Sequence, residues 1–183
     1  MSPLPVDLGE GVVLRRYTLE DADGLYAAVD ANRDRLDPWM PWTEMTRSAE
    51  DQRAWLETVT ANPEDMAGCG VYVDGSFAAG VGLHQGEFGV ACEIGYWNTR
   101  EWEGRGLVTR AVLALMGIAF DELGVHRVSI KAAPGNVRSR AIPERLGFVE
   151  EAVLREDARG AAAFGFHDLV VYGMLEDEWR ARR

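Results

Sequence analysis

The chain has 183 residues, 47% of them hydrophobic and 27% charged, with a formal net charge of −11 and a pI near 4.7. That length and balance give one domain, residues 1–183, with a sizeable core, and exclude a disordered chain. The acidic excess excludes nucleic acid as the main ligand, since phosphate binding needs clustered Lys and Arg; it suits a cationic partner drawn in by the summed field, and it also serves plain solubility. No apolar run reaches the roughly 18 residues of a membrane span. The first residues, MSPLPVDLGEG, lack the basic and apolar regions of a signal peptide. Cys69 and Cys92 make neither a disulfide framework nor a zinc pattern. The expectation is a cytoplasmic protein without a metal.

In chain order, residues 12–16 (VVLRR) read as a first strand. Thr18 and Asp21 then have the spacing of a capping box, opening a helix to about Val29. Residues 36–42 (LDPWMPW) resist regular helix, because each proline drives its predecessor toward extended geometry. Trp39, Met40 and Trp42 there either form a local aromatic cluster under a loop or line a pocket. Ser48 and Asp51 make a second capping box, with a helix to about Asn62. The period then changes. Residues 69–73 and 77–83, joined by Asp74-Gly75, signal a hairpin, because Asp-Gly supplies the positive φ values of a tight turn. Gly86 and Gly89 close that strand, and residues 90–97 add a third.

The chain is organised around residues 93–109, EIGYWNTREWEGRGLVT. A strand passes through a polar turn into Gly104-Arg105-Gly106 and then into an apolar helix over 107–123. Glycines ahead of a helix start leave several N–H groups unpaired and let a phosphate approach without meeting a Cβ. The helix dipole adds positive potential there. The helix is apolar at 108, 111, 112, 115, 116, 118, 119 and 120, so it lies largely buried on a sheet. Residues 127–132 are the next strand. Asn136 is a helix N-cap and Gly147 the matching C-cap. Pro143, inside that helix, cannot donate to the Ser139 carbonyl, which is left free and bends the helix. Residues 148–154 and 166–175 are antiparallel strands, and the small-residue stretch 159–164 between them reads as a mobile loop. The whole is an α+β (mixed α/β) arrangement.

The glycine stretch, LDPWMPW at 36–42, NVRSRAIPERLGF at 136–148 and DLVVYGMLEDEW at 168–179 together resemble the GNAT N-acetyltransferases, and within them the RimJ/RimL branch of ribosomal-protein N-terminal acetyltransferases. The four stretches span most of the chain in the family's order. The resemblance implies a central, mostly antiparallel sheet of six to seven strands flanked by helices. It implies acetyl-CoA or another acyl-CoA as co-substrate, and direct attack in a ternary complex by a primary amine. That amine belongs to a protein N-terminus or a small cationic molecule. Independently of the resemblance, a homodimer is expected through the 159–164 loop or the edge of the last strands, because an open edge invites pairing. By the resemblance, the pyrophosphate falls to Glu103, Gly104, Arg105, Gly106, Leu107, Val108 and Thr109. A backbone N–H from Gly95, Tyr96 or Trp97 holds the thioester oxygen where that strand splays from its neighbour. Asn136 and Arg138 touch the CoA arm, and Ser139 places or protonates the thiol. Arg138 and Arg145 as solvated surface residues, and Asn136 as a simple cap, are the plainer readings.

Two positions depart from the family. Glu101 stands where the loop usually opens with Gln or Arg, offset by Arg100 and Arg105. Ala158 stands where the RimL enzymes carry a general base. Glu93, Glu156 and Asp157 are the candidates to replace it, with His84 and His167 behind them, and an enzyme without a dedicated base stays open. An acyl-cysteine on Cys92 lacks an activating partner in the sequence. The alternative to an enzyme is a CoA-binding sensor or assembly protein without efficient catalysis, suggested by Ala158 and Glu101 themselves.

Overall fold

The computed structural model describes residues 4–62, 66–86 and 89–182; the first three residues of the N-terminal segment read above lie outside it. Its elements run β1 (Val6–Gly9), β2 (Val12–Arg16), α1 (Ala22–Asp30), α2 (Arg33–Leu36), α3 (Ala49–Thr60), β3 (Met66–Val73) and β4 (Ser76–Gln85). There follow β5 (Ala91–Asn98), α4 (Leu107–Gly117), β6 (Arg127–Ala132), α5 (Val137–Leu146), β7 (Val149–Arg159), β8 (Phe166–Leu175) and α6 (Glu176–Arg180). The strands form one eight-stranded sheet in the order β1-β2-β3-β4-β5-β6-β8-β7. Every neighbouring pair is antiparallel except β5 with β6, which α4 connects as a crossover.

Local chemistry explains most boundaries. The β3–β4 turn places Asp74 at φ 47 and Gly75 at φ 83, both left-handed, as an Asp-Gly hairpin requires. Ser48 Oγ accepts from the Asp51 N–H at 3.2 Å and caps α3. The reciprocal bond differs from the expected box: the Asp51 carboxylate takes the Arg47 N–H at 2.9 Å. Gly147 ends α5 at φ 77. β1 is an eighth strand beyond the six to seven expected. Its four residues are too few for a visible alternation, and it exists because the turn at Gly9, Glu10 and Gly11, all at positive φ, folds it onto β2. The helix read over 107–123 is α-helical to Gly117 and then widens into one π-helical turn, Ile118–Glu122.

The sheet separates two apolar clusters. α4 lays Leu107, Val108, Ala111, Val112, Leu115 and Met116 on the face that carries Leu83, Cys92 and Ile94. On the other face Leu25 of α1 and Leu56 of α3 pack with Tyr17, Phe77 and Trp97. Period-two alternation along β5 produces the division, with even-numbered side chains under α4 and odd-numbered ones under α1 and α3. The 159–164 stretch is tied down: Ala161 N–H donates to the Asp37 carbonyl at 2.7 Å and Ala162 N–H to the Glu44 carboxylate at 2.5 Å.

Candidate active site

The site begins where two strands part. β5 and β6 pair only at Ala91–Arg127, Cys92–Val128 and Glu93–Ser129, so β5 beyond Glu93 has a partner on its β4 side alone. Which backbone groups this exposes follows from alternation. Gly86 N–H donates to the Ala91 carbonyl and Thr99 N–H to the Ala78 carbonyl. Odd-numbered residues therefore turn their backbone toward β4, and even-numbered ones toward the gap. Of Gly95, Tyr96 and Trp97, it is Tyr96 whose N–H points into the opening.

That opening is the mouth of a cleft of about 650 Å³, lined by Tyr96 and Trp97 of β5, by the glycine loop with the first turn of α4, and by α5. Gly104 and Gly106 sit at φ 76 and 73, and a Cβ on either would meet nothing within 4 Å. The loop is open and shaped by glycine's access to the left-handed region. The first turn of α4 presents the N–H groups of Leu107, Val108 and Thr109, which lie ahead of the first intrahelical bond, Arg110 N–H to Gly106 carbonyl. Glu103 lines this cleft and Glu101 does not. Glu103 accepts ion pairs from Arg35 at 2.8 Å and from Arg138 at 2.7 Å. The acid facing the loop is thus Glu103, offset by these two arginines. Arg100 is engaged with Asp34, and the Arg105 guanidinium stacks 4.6 Å from the Trp102 ring.

α5 supplies the opposite wall. Asn136 Oδ1 accepts the Ser139 N–H at 3.3 Å, the expected cap, and both residues line the cleft with Arg138 and Arg145. The Ser139 carbonyl, released by Pro143, is not left free: the Tyr96 hydroxyl donates to it at 2.8 Å. Burial pushes the Tyr96 phenol up to about 12, so it stays a donor at physiological pH.

On the other face of the sheet lies a second cavity of about 500 Å³. Tyr17, Trp42, Trp55 and Trp97 wall it, with ring centroids 5.7 Å apart for Tyr17 and Trp55 and 5.8 Å for Trp42 and Trp97. Its floor is stripped of side chains by Gly80 and Gly82 of β4 and Gly95 of β5. Asp51, Gln52, Thr46 and His84 are polar groups on its lining. Met40, Tyr96 and Trp97 border both cavities, which meet across β5.

The expected bases scatter. Glu93 pairs with Lys131 at 3.0 Å. Glu156 and Asp157 fall on a bulge of β7, between the Leu154–Leu169 and Ala158–His167 pairs, with Glu156 at φ 51 and its N–H on Asp168. The bulge turns both into solvent, and neither lines either cavity. His167 meets the Trp39 ring edge-on at 6.0 Å. Phe164 is half exposed and away from both cavities, whereas Trp39, Met40 and Trp42 do line them. Burial pushes the Cys92 thiol up, which keeps it protonated and inert. Sequence reasoning missed Arg35, Tyr17 and Trp55. Among the described residues no His, Cys, Asp and Glu cluster suited to a metal is present, and no helix is long and apolar enough to cross a membrane.

Comparison with known proteins gives the relatives of this chain. A family model described as the acetyltransferase (GNAT) domain matches residues 12–149. The chain is 36% identical to the putative ribosomal N-acetyltransferase YdaF of Bacillus subtilis (strain 168), over 96% of this chain and 97% of that one. It superposes on the crystal structure of a probable acetyltransferase with a TM-score of 0.89 and 34% identity, covering 97% of this chain and 100% of the other. It shares its fold with RimL, the ribosomal L7/L12 alpha-N-protein acetyltransferase solved with coenzyme A, at a TM-score of 0.87 and 20% identity, over 96% and 99% of the two chains.

Proposed function

Because this chain belongs to the GNAT acetyltransferase family, it is an N-acetyltransferase that uses acetyl-CoA, and we propose that the amine enters from the aromatic cavity and attacks the thioester directly in a ternary complex. The single observation that carries this is the meeting of the two cavities at Met40, Tyr96 and Trp97, where β5 loses its second partner strand. A donor in one cleft and an acceptor in the other reach the same few atoms from opposite faces, which lets the amine add directly to the thioester carbonyl.

The residues present fit acetyl-CoA. The bare glycines at 104 and 106 and the N–H groups of Leu107, Val108 and Thr109 take the pyrophosphate. Arg35 and Arg138 flank it, and Arg35 Nη1 is buried with no hydrogen-bond partner among the described residues, a donor waiting for an acceptor. The Tyr96 N–H stabilises the oxygen on which charge develops, a contribution of roughly 3–4 kcal/mol for one such donor. Ser139, at the α5 wall, protonates the departing thiolate.

For the acceptor, a protein N-terminal α-amine is favoured. Its ordinary value near ~7.7–8.0 makes it far easier to use than a lysine near ~10.4 where the carboxylates on the two cavities, Asp34, Asp51 and Glu103, are each held by an arginine. The name of the Bacillus relative, a putative ribosomal N-acetyltransferase, supports a protein acceptor. We place the reaction in the cytoplasm, and a homodimer contact on β7, an edge strand with Val149 and Val153 exposed; a clean monomer mass in solution scattering would dispose of the dimer.

Titration calorimetry with acetyl-CoA, followed by thiol release against a panel of amines, tests the reading. Micromolar binding, lost in Gly106→Val, and saturable turnover with a free-N-terminus peptide are expected. Binding without turnover of any amine would favour a CoA sensor, and unchanged binding in Gly106→Val would remove the pyrophosphate assignment.

A further inference from the structure

Resting on the N-acetyltransferase reading, we propose that His84 is the general base that removes a proton from the acceptor's ammonium group. Three observations carry it. His84 lies on β4 within the lining of the acceptor cavity. Its ring leans along the sheet over two paired glycines: a Cβ at Gly82 would sit 3.2 Å from His84 Nε2, and one at Gly95 3.7 Å. Nothing larger than hydrogen therefore stands between the imidazole edge and the β5 backbone that leads into Tyr96. The carboxylates that compete for the role are engaged or misplaced. Glu93, directly opposite His84 in the β4–β5 register, is held by Lys131. Asp51 across the cavity takes the Arg47 N–H and its guanidinium. Glu156 and Asp157 are on the far bulge.

Those neighbours also define the field on the imidazole among the described residues. β5 contributes Glu93, β6 contributes Lys131 as its counter-ion, and α3 contributes Asp51. β3 presents the Ala67 main chain, against which Gly82 packs so closely that a Cβ would collide with the carbonyl oxygen. A neutral imidazole is suited to this duty because its free ring nitrogen can accept a proton and hand it on to solvent.

The balance is simple. One proton of R–NH3⁺ passes to Nε2 and on to solvent through the open cavity. The freed lone pair forms the C–N bond while the carbonyl π pair moves onto oxygen at the Tyr96 N–H. Collapse breaks the C–S bond with its pair on sulfur; the Ser139 hydroxyl gives its proton to the thiolate and takes the second amine proton in exchange. The products are the amide, free CoA thiol and one proton released.

Initial rates between pH 6 and 9 test this, with acetyl-CoA and a panel of spermidine and hexapeptides bearing free N-terminal Ala, Ser, Met or Trp. For the wild type, kcat/KM is expected to rise with pH along a limb that the His84 variants lack. His84→Gln is expected to lose ~100-fold at pH 7, with acetyl-CoA affinity and melting temperature unchanged. Its profile should rise only through the amine's own range, and added imidazole should restore part of the rate to His84→Ala. A His84→Gln enzyme with wild-type kcat/KM and an unmoved acid limb overturns the assignment and leaves the acetyltransferase reading standing. So does an equal loss seen in Glu93→Gln and not in His84→Gln. A wild type that binds acetyl-CoA but acetylates nothing in the panel overturns both.

Discussion

The Tyr96 hydroxyl donates at 2.8 Å to the Ser139 carbonyl, the acceptor that Pro143, four residues further along α5, has no N–H to reach. A helix defect on one wall of the larger cleft is thus satisfied by the strand residue whose own N–H faces the gap between β5 and β6. Tyr96→Phe leaves a part-buried carbonyl unpaired and is expected to cost about 1–3 kcal/mol of stability. It should also raise KM for acetyl-CoA as α5 loosens. Pro143→Ala restores the amide, so the double variant should recover most of that loss. A double-mutant cycle on unfolding free energies checks this, and strictly additive costs would show that the two residues are not coupled.

Glu103 holds Arg35 and Arg138 beside the glycine loop at the expense of its own charge near the phosphates. Glu103→Gln is expected to bind CoA several-fold more tightly at low ionic strength, with the gain fading above about 0.5 M salt as the Debye length shrinks. Calorimetric titration at two salt concentrations reads it. Weaker binding at both would mean that Glu103 acts mainly by positioning the arginines.

Trp55 stands on the rim of the aromatic cavity, 42% exposed, with its ring against Tyr17. Trp55→Ala should raise KM for a peptide acceptor about tenfold, a loss of ~1.4 kcal/mol of contact, and leave acetyl-CoA affinity alone. The same assay compares a short peptide with a free N-terminus against its N-blocked, lysine-containing twin. We expect the free terminus to be faster, and faster acetylation of the blocked peptide would contradict the α-amine assignment.

Asp21 binds Arg15 at 2.7 Å in the connection that leads into α1, beside Tyr72. Burial pushes the Asp21 carboxyl up, but the Arg15 hydrogen bond and the Thr18 N–H outweigh it, so the folded value lies below the ordinary 3.8. With the folded value lowered, the pair stabilises fully above the unfolded value and loses that stabilisation as pH falls through the folded one. Melting temperature should therefore drop below about pH 4, and Asp21→Asn should be less stable near neutrality with a shallower acid limb. Parallel pH dependences for the two proteins would remove Asp21 from the acid transition.

The glycine loop, the β3–β4 hairpin and the two α5 caps were legible because each depends on residues adjacent in sequence: left-handed φ at Gly104, Gly106, Asp74 and Gly147, and the Asn136 side chain one turn from Ser139. The Pro143 defect was legible too, but its remedy was not. Tyr96 is 43 residues away from Ser139, and only the sheet order brings them together. The acceptor cavity was half visible in Trp39, Met40 and Trp42. Tyr17 and Trp55 carried no such signal, because Tyr17 only follows the first strand and Trp55 sits within an ordinary amphipathic helix. His84 could not be placed beside Gly95 without the β4–β5 register, which Gly86 and Gly89 in the connection do not by themselves fix. The missing base at Ala158 drew attention to its sequence neighbours Glu156 and Asp157, yet the β7 bulge carries both outward.

Direct transfer between the two cavities is tested most directly by an initial-velocity matrix, acetyl-CoA varied against a free-N-terminus peptide at fixed pH. We expect double-reciprocal lines that intersect, as a ternary complex at Tyr96 requires, and the same pattern in Cys92→Ala. Parallel lines, with a labelled acyl-enzyme trapped in the absence of peptide, would contradict it.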